Sequence, residues 1–306
     1  MIHVIGNAAV DMILRIARFP RPGETLVAES AVDDLGGKGA NQAVAIARCG
    51  EPVALTAALG ADPLGERIRS RLAAEGVETG GLWVWPGPTD RCVIYVDGGG
   101  ENTIVSLIEA ARHFDPLAAT QIADRIAPGD WVVLQGNLRP LVSRNCLALA
   151  RRRGATTVLN PSPAYAPGEY DWSLVDLAVL NRGEAIELGR SDDPIAAAGA
   201  LRAAGLGAAV LTLGAQGAVL LSGATQARVA APRVPAVDTI AAGDVFCGSL
   251  IAARAKNLSW SAALRVAAEA AAICVSRPGA QASFPTRAEM SLILTNCSEA
   301  VAEEPR

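Results

Sequence analysis

Histidine is almost missing from this chain of 306 residues, and aromatic side chains are scarce at 4%. Only His3 and His113 are present, far apart, so neither a Ser-His-Asp nor a Cys-His mechanism has its parts. The six cysteines (Cys49, Cys92, Cys146, Cys247, Cys274 and Cys297) form no CxxC pair, which with two histidines argues against a structural zinc site. They read as reduced thiols, mostly in the core of a cytoplasmic protein. Neither sign of charge dominates: the net charge is −4, which gives no reason to expect nucleic acid or a membrane surface as partner. The basic run Arg151-Arg152-Arg153 reads as the end of a helix, near its C-terminal dipole. No apolar run is long enough to span a bilayer. The chain opens directly on the strand-like Ile2-His3-Val4-Ile5, so no signal peptide is expected. No strand is followed by GxGxxG. The glycines near Lys38 do not make a P-loop either, because its first glycine would fall on Val32.

What the chain does have is apolar mass. Half of it is hydrophobic, enough for one large α/β domain over residues 1–306. No repeat, low-complexity segment or domain linker interrupts it. Strands are expected at Ile2 to Gly6, in the alternating run Met12 to Ile16, at Leu26 to Val32 and at Val53 to Leu59. Pro20 to Thr25 is a turn-rich connection, and Pro63 to Gly76 a helix with proline at its start and glycine at its end. Arg91 to Val96 and Asn102 to Leu107 flank Asp97-Gly98-Gly99-Gly100-Glu101, a hairpin signal. From residue 115 onward helices (115–126, 140–153, 182–188, 194–205) alternate with strands (130–135, 155–160, 176–181, 208–213). That order implies right-handed crossovers and a mostly parallel sheet covered on both faces. Ligands in such sheets bind beyond the carboxyl ends of the strands. Gly6, Gln135-Gly136-Asn137, Asn160, Asn181 and Thr212-Leu213-Gly214 fall at those ends.

Two stretches carry chemistry. Asp238-Thr239-Ile240-Ala241-Ala242-Gly243-Asp244 is a loop of small residues that runs into an apolar helix. The first amides of a helix lack intrahelical partners and can face an anion. Ala241, Ala242 and Gly243 let a phosphate oxygen approach the backbone closely. An isolated Asp at a helix start is usually an N-cap. Beside an anion hole, a carboxylate such as Asp244 suits a general base that takes a proton from an alcohol. The second stretch, Gly36-Gly37-Lys38-Gly39-Ala40-Asn41-Gln42, is a glycine-rich loop that again feeds a helix, ending near Cys49-Gly50.

Taken together, the two stretches closely resemble the N- and C-terminal signatures of the ribokinase-like (PfkB-type) carbohydrate kinases, and the resemblance covers nearly the whole chain. It implies a three-layer αβα fold with a small β-sheet lid, formed by about 11–34 and 90–108, that folds over the substrate. It makes Asp244 the catalytic base and the amides of Ala241 to Asp244 the anion hole. It assigns Asp11, Gly37, Lys38, Asn41 and the strand-end Asn137 to the sugar. Asn181, Thr212, Gly214 and Gly217 go to the nucleotide, ATP. Glu184 of an Asn-x-x-Glu motif would order the waters of Mg²⁺. Asp238, Ile240, Cys274, Gly279 and Ser283 align with positions around a potassium ion. The lid edges would be covered in a homodimer. The chain departs from ribokinases at Ala9, where they carry Asn, at Gln135-Gly136-Asn137-Leu138, where they carry Glu, and at Glu109-Ala110-Ala111-Arg112. Such changes alter which hydroxyls are paired, hence which sugar binds.

The leading expectation is an ATP-dependent kinase acting on a primary hydroxyl of a small sugar. A nucleoside kinase of the same fold would need aromatic stacking, for which Phe19, Trp83, Trp85 and Tyr95 in or near the lid are the candidates. A sugar- or nucleotide-binding protein without catalysis is the third reading, opposed by the intact Asp244, Gly243 and Lys38.

Overall fold

Two sheets of unequal size organise the computed structural model, which describes residues 1–99, 101–223 and 225–302, the last four by backbone alone. In chain order the elements are β1 (Ile2–Ile5), β2 (Ala9–Arg15), β3 (Ser30–Gly36), α1 (Lys38–Arg48), β4 (Val53–Gly60), α2 (Pro63–Ala74), β5 (Glu78–Trp85), β6 (Arg91–Val96) and β7 (Asn102–Leu107). Then follow α3 (Glu109–His113), α4 (Pro116–Ala119), α5 (Ile122–Arg125), β8 (Trp131–Gln135), α6 (Pro140–Arg152), β9 (Thr156–Asn160), β10 (Leu177–Asn181), α7 (Arg182–Gly189) and α8 (Pro194–Ala203). The chain closes with β11 (Ala208–Thr212), β12 (Ala218–Ser222), β13 (Thr225–Val229), α9 (Ala242–Ala255), α10 (Trp260–Val275) and α11 (Arg287–Ala302).

The large sheet has the order β13-β12-β11-β10-β9-β8-β1-β4-β5. From β11 to β5 all its neighbours are parallel, and β12 and β13 add an antiparallel edge. Successive residues of the inner strands enter opposite layers, as the pleat requires. Val4 and Val133 join a core with α1, α9 and α10, whereas Ile5, Val132 and Leu134 join one with α6, α7 and α8. This is the expected three-layer αβα architecture. The small sheet has the order β3-β2-β6-β7. Its Ile13, Ile94 and Val96 pack on Ile240 and Ala280, in the loops before α9 and after α10.

Several local expectations change. The strand expected at Leu26 to Val32 lies at Ser30–Gly36, because β3 pairs with β2 until Ala9 meets Gly36, and the segment before it lies outside the ladder. The helix expected over 115–126 is two single turns, α4 and α5. Thr120 adopts an extended backbone between them, and its hydroxyl donates to the Pro116 carbonyl at 2.7 Å. Strand β5 was not anticipated, since Gly80-Gly81 interrupts its apolar run. A side chain at Gly81 would meet Thr56 Oγ1 at 2.5 Å, so the glycine lets β5 lie against β4. Trp83 and Trp85 consequently belong to the edge of the large sheet, not to the lid. Trp83 stacks on Phe114 and Trp85 on His113, with centroids 5.8 and 5.3 Å apart. Gly100 of the expected hairpin turn lies outside the described residues. On either side of it β6 and β7 pair as expected, and Asp97 Oδ1 accepts from the amides of Gly99 and Glu101.

Phe114 is fully buried between Trp83 and the layer under α6. Phe114→Ala is expected to cost about 3–5 kcal/mol of stability, read from urea unfolding midpoints. A loss under about 1 kcal/mol would contradict this packing.

Candidate active site

The candidate residues gather where the parallel strands end. Gly6 and Asn7 follow β1, and Gln135, Asn160, Asn181 and Thr212 close β8, β9, β10 and β11. The glycine-rich loop is pressed onto the turn between β1 and β2. Gly37 has φ of 86°, and a side chain there would meet the Ala8 Cα and the Ala9 nitrogen at 2.8 Å. The loop is tied down by the Ala40 amide, which donates to the Asn7 carbonyl at 3.0 Å. Tight backbone contact thus fixes where α1 starts, and with it the directions of Asn41 and Gln42.

Helix α9 begins after Ala241, a left-handed residue with φ of 59° and no side-chain cap. Asp244 is therefore the third helical residue rather than the N-cap. Its carboxylate is 5% exposed and turns toward α1. Asn41 Nδ2 donates to Oδ2 at 3.0 Å and Gln42 Nε2 donates to Oδ1 at 3.1 Å. Of the four amides expected to form an anion hole, that of Asp244 donates to the Ala241 carbonyl at 3.0 Å and that of Ala242 makes a long bond of 3.4 Å to the Thr239 carbonyl. Those of Ala241 and Gly243 donate to no acceptor among the described residues, and Gly243 is exposed with open space where a side chain would be. The hole thus narrows to two bare amides beside one clamped carboxylate.

Around the clamp lies a chain of buried amides. Gln281 Nε2 donates to Asn41 Oδ1 at 3.1 Å, Gln135 Nε2 to Gln42 Oε1 at 2.8 Å, Gln42 Nε2 to Asn160 Oδ1 at 3.0 Å, and Asn160 Nδ2 to the Val179 carbonyl at 2.9 Å. In the sequence Gln135 and Asn160 were placed only at strand ends, and Gln42 and Gln281 were given no role, because no local pattern shows which side chains converge from distant elements.

On the other side of the carboxylate, Asp11 is 5% exposed and its Oδ1 is unpartnered, as are Gln135 Oε1 and Asn137 Oδ1. Orphaned buried acceptors are costly until a ligand supplies donors. Burial pushes the Asp11 carboxyl up to about 7, opposed by the nearby Cys92 thiol and reinforced by the charges of Asp244 and Asp34. Gly36 makes room for it, since a side chain there would lie 2.0 Å from the carboxyl carbon. The charge of the half-buried Lys38 ammonium favours the charged forms of both Asp11 and Glu184.

A cavity of about 370 Å³ opens next to Gly243, lined by Thr212, Gly214, Gly217, Thr239, Phe246 and a row of small residues on α10. Thr212, Gly214 and Gly217, the residues expected to meet the nucleotide, are thus brought together in its wall. Asn181 and Glu184 do not line this cavity. They form a capping box at the start of α7, in which Asn181 Oδ1 accepts the Glu184 amide and Glu184 Oε2 accepts the Asn181 amide, each at 2.9 Å. Burial raises the Glu184 carboxyl, opposed by its bond from the Asn181 amide. Phe246 on α9 and the α10 alanines were missed, since both helices are apolar over most of their surface and show no face.

The five residues aligned with a potassium site do converge. Asp238 accepts from the amides of Ile240 and Gly279 at 3.0 and 3.2 Å. The Cys274 thiol lies 3.6 Å from the Ile240 carbonyl and 3.0 Å from the Ser283 hydroxyl. Burial pushes that thiol up to about 11, so it stays protonated. The group is closed by its own hydrogen bonds and fits a monovalent cation only if those bonds open. No cluster of three His, Cys, Asp or Glu among the described residues could hold a metal ion.

The model of the pfkB family carbohydrate kinases matches residues 1–287. A ribokinase of Haemophilus influenzae is 34% identical over 293 residues, covering 94% of this chain and 95% of the relative. A deoxyribokinase of Salmonella typhi is 30% identical over 294 residues, covering 93% of this chain and 95% of that one. The crystal structure of a ribokinase from Cryptococcus neoformans in complex with ADP superposes with a TM-score of 0.83 at 29% identity, covering 95% of this chain and 98% of the other.

Because burial raises the folded-state pKa of Asp11 above its ordinary 3.8, to about 7, the folded chain holds a proton that the unfolded chain releases. Stability therefore falls as pH rises from about 4 to about 7, and above that range the folded state bears the full cost of a buried carboxylate. Asp11→Asn removes this cost, so the variant without ligand should melt several degrees above the parent at about pH 8, the gap closing toward about pH 4. A gap that does not change with pH would refute the assignment.

Proposed function

The chain belongs to the PfkB family of carbohydrate kinases, and we propose that it transfers the γ-phosphoryl group of ATP to a primary hydroxyl of a small, ribose-like sugar. The observation that carries this reading is the Asp244 carboxylate, clamped by Asn41 and Gln42 one residue from the bare Gly243 amide. A sugar hydroxyl placed between them gives its proton to Asp244 while its oxygen bonds the γ-phosphorus. The bond from that phosphorus to the β-phosphate oxygen breaks, and ADP leaves. The amides of Gly243 and Ala241 face the phosphoryl oxygens, where charge is stabilised without rearrangement. The adenosine portion fits the cavity along α10, against Phe246.

The unpartnered oxygens of Asp11 and Asn137 support a ligand rich in hydroxyl donors, with Gly37 and Lys38 completing the sugar side. The nucleoside reading loses two of its four aromatic candidates, because Trp83 and Trp85 belong to the large sheet. Ala9, fully buried, brings no polar group to the pocket, so ribose and 2-deoxyribose are the first sugars to compare. When bound with the nucleotide, Mg²⁺ would neutralise phosphate charge, its waters ordered by Glu184 near Asn181. Potassium would lie among Asp238, Ile240, Cys274, Gly279 and Ser283, with no step passing through it.

The small sheet then acts as the lid. Its outer strands carry Val32, Ile104, Val105 and Leu107, each more than half exposed, which suits covering by a second copy of the chain. Six free cysteines fit the reducing cytoplasm. No helix among the described residues is long and apolar enough to cross a membrane.

Asp244→Ala should lower turnover by about 10²–10⁴-fold on the best sugar of a panel of pentoses, deoxypentoses and nucleosides, with ATP affinity nearly unchanged. Full activity in that variant would remove Asp244 from the mechanism. Lid closure predicts further that ATP hydrolysis without sugar is a small fraction of turnover with it. Equal rates would exclude a water-excluding lid.

A further inference from the structure

We infer that Gln42 is a positioning residue of the phosphoryl-transfer step: it fixes the Asp244 carboxylate against the bare amides and touches neither substrate. The inference rests on the kinase reading above, and it starts from hydrogen-bond capacity. A glutamine side chain offers two N–H groups and one carbonyl oxygen. In Gln42 all three are engaged: one N–H donates to Asp244 Oδ1 at 3.1 Å and the other to Asn160 Oδ1 at 3.0 Å, while Oε1 accepts from Gln135 Nε2 at 2.8 Å. The residue is fully buried, with 0% exposure. A side chain with no surface has no direct contact to offer a sugar or a nucleotide. Gln42 is also held rigidly, because its two other partners end the neighbouring central strands β8 and β9, and Asn160 is in turn anchored on the Val179 carbonyl of β10. The central sheet thereby reaches the carboxylate through two side chains.

A carboxylate has about four acceptor sites. Asn41 fills one on Oδ2 and Gln42 one on Oδ1, so both oxygens are pinned while sites remain for the sugar hydroxyl. Asn41 alone would leave the carboxyl free to swing about its remaining torsion. Displacement of a reacting group by even about 1 Å costs on the order of 10²-fold in rate. The third position of α9 also lacks any cap that would hold the side chain from its own helix. The restraint has to come from α1, and Gln42 is the part of it with no second task.

The test uses the full-length enzyme with ATP, Mg²⁺ and its best sugar. Gln42→Met keeps size and removes both donors. Gln42→Glu keeps shape, removes the same donors and sets a second carboxylate against Asp244. The expected result is a fall in kcat of about 10–10²-fold for Gln42→Met and more for Gln42→Glu, with KM for ATP and for the sugar within about twofold of the parent. In an Asp244→Asn background, where no base remains to be positioned, Gln42→Met should lower the residual rate by less than about twofold. Thermal unfolding of each variant shows that it is folded. Rates that fall equally in both backgrounds, or a KM that rises with unchanged kcat, would overturn the inference, as would an active parent whose variants keep full kcat. Failure of both variants to fold would make Gln42 structural and also overturn it. A parent enzyme inactive on every sugar would instead bring down the kinase reading and this inference with it.

Discussion

A single carboxylate held by two amides from the far end of the chain is the constraint on which the rest of this structure depends. Asp244 meets Asn41 and Gln42 across sequence separations of 203 and 202 residues. To make those bonds, α1 and α9 must pack side by side, the glycine loop must lie flat on the β1–β2 turn, and β8 and β9 must present Gln135 and Asn160 at one level. Close approach of α1 and α9 is bought with small residues: a side chain at Gly248 would meet Ala45 Cβ at 2.7 Å and the Gln42 carbonyl at 2.8 Å. Both oxygens of the Asp244 carboxylate are held, whereas Gln135 Oε1 and Gln281 Oε1 at the margin of the network, and Asp11 Oδ1 and Asn137 Oδ1, keep unused acceptor capacity.

Motifs that act through the backbone were legible in the sequence. A run such as Gly36-Gly37-Lys38-Gly39 needs small residues because neighbouring backbone lies where side chains would go, and the composition itself announces this. The same holds for Ala241-Ala242-Gly243. Parallel strands were legible from their length and flanking helices, so β8 to β11 fell close to the expected positions. Contacts made by side chains over long distances were not. Gln42 is one letter in a recognised string, and its three partners lie on two strands and a helix that no local pattern links to it.

The misplaced tryptophans show the same limit. Trp83 and Trp85 precede the strand β6 closely in sequence, and that proximity suggested the lid. The glycines Gly80-Gly81 broke the alternation that would have revealed β5, so the chain's passage back along the large sheet went unseen. Helix α10 hid its part in the cavity beside Gly243 for another reason. A helix apolar on nearly every side has no amphipathic stripe to mark the face that meets a ligand. The capping box at Asn181 and Glu184 shows that a short acidic pattern at a helix start can serve the helix itself as well as any ion.

The order in which the chain leaves the ribosome matters for such a site. Asn41, Gln42, Asp11 and the glycine loop emerge early, whereas β13, α9 and the α10 wall of the cavity beside Gly243 come last. A nascent or truncated chain can therefore hold most of the parallel sheet and still lack Asp244 and the bare amides of Ala241 and Gly243. Whatever chemistry the site performs waits for one late stretch of synthesis.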